Sequence, residues 1–128
     1  MYKDWPGLAA ALSDPLKQLR GASPDVMKNF SGLARAALEA KALDKKTKEL
    51  IALGISVAIR CEPCITFHAE AAVAQGATRD EVSETMGMAI YMGAGPSVMY
   101  AAKGLEAFDQ YKQSADAKAE GRGETGPR

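Results

Sequence analysis

The sequence predicts an all-α fold, a compact bundle of about six helices. Three observations lead there. Apolar residues recur at helical spacing, as in Val26, Phe30, Leu33, Ala37 and Leu38. Residues that start helices stand ahead of several runs: Ser23 before Pro24, Asp44 before a lysine-rich opening, and Thr78 three residues before Glu81. The chain is also rich in Ala, Leu and Met, and it offers only one segment of strand quality where a mixed fold would need several.

Each element follows in order. "WPGLAAALSDPLKQLR" reads as a short helix, interrupted or restarted at Pro15. "SPDVMKNFSGLARAALEAKAL" is the second helix, with Ser23 as N-cap and Pro24 at its first position. Asp44 caps the third, "KKTKELIALGISVAIR". Its apolar half, "LIALGISVAI", is the strand-quality segment, and periodicity alone does not separate a buried strand from a buried helix. The lack of partner strands decides for a central buried helix. "CEPCITFHAEAAVAQG" follows and stops at Gly76. "TRDEVSETMGMAIYMG" opens on the Thr78/Glu81 capping-box spacing. Gly93, Gly95 and Pro96 break the chain before the last helix, "SVMYAAKGLEAFDQYKQ". Residues 1–113 are expected to form one helical domain. Residues 114–128 hold only small and charged side chains apart from Pro127, and are expected to form a flexible tail, because they bury too little to offset the entropy of ordering.

Composition limits the function. At 128 residues the chain is about one domain, large enough to bury a core without metal or disulfide staples. Sixteen basic and sixteen acidic side chains cancel, unlike the strongly basic footprint of a nucleic-acid binder. No apolar run reaches the length of a membrane span. "MYKDWPGLAA" lacks the pattern of a secretory leader, so the expected compartment is the cytoplasm. There, a close cysteine pair more often binds metal or cycles between redox states than serves as a stable staple.

The chemistry concentrates in "AIRCEPCITFHAE", which holds both cysteines, Cys61 and Cys64, and the sole histidine, His68. With Cys61 at a helix N-terminus, Pro63 falls in the first turn, where proline is tolerated. Cys64 lies one turn on, on the same face. Side chains three apart on a helix have Cβ atoms about 5–6 Å apart, and a disulfide needs about 3.5–4.5 Å, so a slightly adjusted first turn bridges them. The helix N-terminus favours a thiolate. His68, four residues beyond Cys64, can take or return the thiol proton. Two other readings stand beside a redox dithiol. Cys-x-x-Cys-x-x-x-His supplies three zinc-ligand types, with a carboxylate or water needed to complete the shell. The thiols can also be small apolar side chains in a structural helical module.

Glu49, then eleven residues, Cys61, two residues, Cys64, three residues and His68 resembles the signature of the AhpD-like alkylhydroperoxidases, within the carboxymuconolactone decarboxylase superfamily. The resemblance covers about residues 30–111. It implies an all-helical fold, assembly into homo-trimers or hexamers, and reduction of a small peroxide by the cysteine pair. Cys64 would attack, Cys61 would resolve, and Glu49 with His68 would relay protons. A thiol or dithiol donor would restore the pair; no cofactor or metal is implied. The best-known members carry a histidine between the cysteines, where this chain has Pro63. The lactone decarboxylase branch, an alternative activity, shares the fold but generally lacks the cysteine pair. Without the resemblance Glu49 is an ordinary exposed helix acid, and helix geometry about a bend at Arg60 puts it about a turn out of step with His68. Met86, Met88, Met92, Met99, Tyr91 and Tyr100 are expected in the core or at a subunit interface.

Overall fold

The computed structural model describes residues 1–125, with side chains through Arg122. Among the described residues the chain forms five helices and no strand: α1 (Trp5–Ala22), α2 (Pro24–Leu38), α3 (Lys45–Ala58), α4 (Glu62–Ala74) and α5 (Arg79–Thr125). "LIALGISVAI" is helical, within α3. The helix starts follow local chemistry. Asp4 and Asp44 accept the backbone N–H groups of Gly7 and Thr47 at 3.1 and 2.7 Å. Thr78 and Glu81 close their capping box in both directions, at 2.9 and 3.1 Å. Ser23 occupies the N-cap of α2 but makes no side-chain cap bond there.

Two expectations about helix limits change. Helix α1 continues through Pro15. The carbonyl left without a partner by the missing N–H belongs to Ala11, and both residues are exposed, so water can take its place. The expected six helices become five because α5 spans the Gly93–Pro96 region. It is nevertheless two rods, joined at Ala94 with φ 56° and ψ −143°. Pro96 falls in the first turn of the second rod, where no helical partner awaits an N–H. That rod continues past residue 113 to Thr125, so most of the expected loose tail has a helical backbone. Its run of Ala, Lys and Glu suits a helix even though none of residues 114–122 is buried. Residues 126–128 of that tail lie outside the described residues.

Helices α3, α4 and α5 pack against one another around Leu53, Val57, Ile65, Ala69, Ala72, Val82, Met86 and Phe108. Gly104 permits a close approach: a Cβ there would stand 2.9 Å from Met86 Sδ and 3.3 Å from a Val57 methyl. Trp5 anchors α1 and is fully buried. Its indole N–H donates to Glu106 at 2.9 Å, and its carbonyl accepts from the Thr66 hydroxyl at 2.7 Å. Helix α2 is different. It buries none of its residues, and Val26, Phe30 and Leu33 present an apolar stripe that is 61–68% exposed. Met86 lies in the core, whereas Met88, Tyr91, Met92 and Met99 face outward. Among the described residues no helix is long and apolar enough to cross a membrane.

Candidate active site at the head of the fourth helix

The site is built by the turn between α3 and α4. Cys61 N–H donates to the Ser56 carbonyl at 3.0 Å, and Arg60 N–H to the Val57 carbonyl at 3.1 Å, while Arg60 adopts φ 59°. This is a Schellman ending with a left-handed residue after the cap. Gly76 ends α4 in the same way, with Gly76 N–H on Val73 and Ala77 N–H on Ala72. Glycine suits that conformation, whereas arginine at position 60 holds it against a steric penalty of about 1–2 kcal/mol.

The turn sets a register. Cys61 sits level with Ser56, the carbonyl it bonds. Seven residues along α4 from Cys61 is His68, and seven residues back along α3 from Ser56 is Glu49. Both distances are about 10 Å of helix axis, so the two side chains arrive at one height. His68 Nδ1 and Glu49 Oε2 are 2.8 Å apart. The misalignment expected from a bend centred on Arg60 is therefore absent: the helices are paired from Ser56 and Cys61, not symmetrically about Arg60. Glu49 is no surface acid. Its side chain is 4% exposed, against 33% for His68. A carboxylate so placed needs a strong partner, since burying one alone carries a penalty of several kcal/mol.

Cys61 is the N-cap of α4, and Glu62, Pro63 and Cys64 form its first turn. The sulfurs of Cys61 and Cys64 are joined in a disulfide, with Cα atoms 5.2 Å apart. Cys64 N–H donates to Cys61 Sγ at 3.2 Å, so this sulfur does the work an aspartate or serine does at other helix starts. Both cysteines are partly buried. His68 shares the Cys64 face of α4 one turn further on. Among the described residues it makes no hydrogen bond to either sulfur; its bonded partner is Glu49. The four residues thus fall into two bonded pairs on neighbouring turns of one helix hairpin. Such a site can cycle between disulfide and dithiol, with an oriented imidazole one turn from the thiol. No group of three or more His, Cys, Asp and Glu side chains arranged to hold a metal ion occurs among the described residues.

The first turn of α4 holds a further group that the sequence did not single out. Glu62, between the cysteines, takes Lys3 Nζ at 2.5 Å and Lys103 Nζ at 2.9 Å. Its carboxyl is held below the usual range by those two hydrogen bonds, against the opposing effect of burial. The partners lie 59 and 41 positions away, too far for a local pattern to show them.

Comparison with known proteins agrees with this architecture. The model of the carboxymuconolactone decarboxylase family matches residues 24–107. An uncharacterized protein of Cupriavidus necator is 40% identical over 88 residues, covering 69% of this chain and 78% of its own. One from Haemophilus influenzae is 38% identical over 112 residues, covering 88% and 99%. The crystal structure of an apo carboxymuconolactone decarboxylase family protein from Legionella pneumophila superposes with a TM-score of 0.82 at 48% identity, over 84% of this chain and 96% of that one. A family member from Thermotoga maritima has the same fold, with a TM-score of 0.77 at 24% identity over 86% and 94%. By the span of the family match and the fold it shares with these neighbours, the chain belongs to the carboxymuconolactone decarboxylase family.

Proposed function

We propose that this protein is a dithiol oxidoreductase of the alkylhydroperoxidase kind, which reduces small peroxides through Cys61 and Cys64. The observation that carries this reading is the Cys61–Cys64 bridge at a helix N-terminus, one turn before a histidine held by a buried carboxylate. In the reduced protein the Cys64 thiol gives its proton to His68, and the thiolate attacks a peroxide oxygen. The O–O bond breaks, the alcohol leaves with the proton returned by His68, and Cys64 becomes a sulfenic acid. The Cys61 thiol then attacks that sulfur and water leaves, forming the disulfide. A thiol or dithiol donor restores the pair with two electrons and two protons and is itself oxidised. Glu49 acts through His68 by fixing its ring. Pro63, standing where the best-known relatives have a second histidine, leaves His68 as the sole imidazole of the relay.

A second assignment of the two thiols has its own support. Cys61 Sγ receives the capping N–H of Cys64, and a thiolate there is stabilised directly by the helix end. Alkylation rate against pH in Cys61→Ser and Cys64→Ser decides between them. The attacking thiol is the more acidic, and for Cys64 its acidity depends on His68.

The working unit in this reading is a homo-oligomer, a trimer or a multiple of one. Its support is the exposed stripe of α2 together with an open apolar groove of about 450 Å³ between α3 and α5, lined by Leu50, Ile51, Ile55, Met88 and Met92. One chain thus carries both an uncovered apolar helix face and a groove of matching character.

The test is consumption of an alkyl hydroperoxide by the reduced protein, with dithiothreitol as donor. Wild type should exceed free dithiothreitol at least tenfold, and Cys64→Ser and Cys61→Ser should fall to the background. Cysteines that remain fully alkylatable after excess peroxide would sink the reading.

A further inference from the structure

The charged cluster around Glu62 lies outside the Glu49–His68 pair, yet it is attached to the same helical turn as the disulfide. Three segments meet there. Lys3 comes from the strap ahead of α1, Glu62 from α4 and Lys103 from the second rod of α5. Each carboxylate oxygen of Glu62 takes one lysine. The side chains are 34% exposed for Lys3, 23% for Glu62 and 18% for Lys103, so solvent screens the cluster only in part. Both lysines are held from behind. Lys103 Nζ stands 4.0 Å from the Tyr100 ring centre and 5.0 Å from that of Tyr2. The strap itself is pinned by Glu106, which accepts the backbone N–H groups of Tyr2 and Lys3 at 2.7 and 2.9 Å. Gln110 adds bonds to the Trp5 N–H and the Lys3 carbonyl, at 2.9 and 2.7 Å.

The arrangement answers two demands on one helix end. An acid in the first turn stabilises α4 through the helix dipole. The same acid, next in sequence to Cys61, opposes the negative charge that a thiolate brings to that turn. A bare carboxylate there would favour the disulfide over the dithiol. Two lysines on its two oxygens remove the conflict while keeping the acid in place. The other acid of the cluster, Glu106, is turned to the strap amides and the Trp5 indole.

We propose that Lys3 and Lys103, acting through Glu62, are positioning residues that mask its charge and so set the reduction potential of the Cys61–Cys64 pair. This rests on the dithiol reading given above. The step concerned takes two electrons and two protons from a dithiol, which becomes a disulfide; the Cys61–Cys64 bond breaks, and one product thiol then releases its proton.

The experiment equilibrates each variant with mixtures of reduced and oxidised dithiothreitol and reads the bridged fraction by alkylation and mass spectrometry. Lys103→Met and Lys3→Met should each move the equilibrium toward the disulfide, on the order of three- to tenfold, where tenfold corresponds to about 30 mV for a two-electron couple. Glu62→Gln should move it the other way, toward the dithiol. Lys103→Arg keeps the charge and should stay within about twofold of wild type. The apparent pKa of the reactive thiol, read from alkylation rate against pH, should rise in the lysine variants and fall in Glu62→Gln. Each neutral variant weakens an ion pair of the same cluster, so a merely structural role would shift Glu62→Gln and Lys103→Met in the same direction. That result, or no shift in any variant, overturns the proposal. Opposite shifts in a protein that never consumes hydroperoxide would keep the clamp and remove the peroxidase reading. Peroxide turnover with unmoved potentials would remove the clamp alone, and a pair that never equilibrates with dithiothreitol would remove both.

Discussion

Replacing His68 with alanine strips the partner from a carboxylate that is almost wholly inside the protein. Leaving a buried carboxylate without its hydrogen-bond partner costs more than the ~1–3 kcal/mol of a neutral group. The His68 side chain is 33% exposed, so water can reach part of the space it vacates, and the expected cost drops to about 2–3 kcal/mol. In a chain of this size that lowers Tm by about 6–12 °C. Glu49→Leu acts differently: it removes the buried acid, leaves the imidazole with solvent on one side, and should change stability by less than about 1 kcal/mol. The double variant should then be about 2 kcal/mol more stable than the sum of the single effects predicts. Peroxide reduction should fall about a hundredfold or more in all three proteins, since each lacks an oriented proton carrier. Urea unfolding of the disulfide form at pH 7 gives the four stabilities, with the redox state held constant. A coupling below about 0.5 kcal/mol would refute the reasoning, because it would mean that Glu49 tolerates its burial without the imidazole.

Other outcomes follow from the same structure. The Glu62 carboxyl is held below its ordinary value of 4.5 by Lys3 and Lys103. Its contribution to stability is therefore full above that value and is lost as pH falls through the lower value of the folded state. Denaturant midpoints taken from pH 6 down to pH 3 should decline in wild type and decline less in Glu62→Gln. Arg60→Gly, at φ 59°, should raise stability by about 0.5–1 kcal/mol in thermal or urea unfolding. A loss instead would mean that the Arg60 side chain makes a contact the turn needs. Phe30→Asp, on the exposed stripe of α2, should lower the mass measured by light scattering at micromolar concentration while leaving the helical circular dichroism intact. A monomeric wild type would remove the assembly reading altogether.

What the sequence revealed, and what it hid, divides by range. Helix starts at Asp44 and at Thr78 with Glu81 are three-residue devices, visible in any window that contains them. The break near Ala94 was likewise marked by Gly93, Gly95 and Pro96, where the two helical rods of α5 meet at a non-helical residue. The resemblance implied the pairing of Glu49 with His68, but helix geometry alone did not show it, because it depends on how α3 ends. Gly76 announces its Schellman turn, but Arg60 makes the same turn without a glycine, so the register between the helices could not be counted from the sequence. The stripe on α2 shows the complementary difficulty. Periodicity tells which face is apolar, but not whether this chain or another covers it. The cluster of Lys3, Glu62 and Lys103 is assembled wholly by tertiary packing.

The turn at residues 59–61 has a consequence for anyone wishing to transplant this site. Copying Glu49, Cys61, Cys64 and His68 onto another helical hairpin would not reproduce it. The recipient must also end its first helix with the left-handed turn that ties Cys61 to Ser56. One residue more or fewer there would swing the second helix by about 100° and slide it by about 1.5 Å, carrying the imidazole away from its acid. The side chains of Ile59 and Arg60 are open to exchange, that of Cys61 is not, and the length of the connector is the dimension that a graft has to keep.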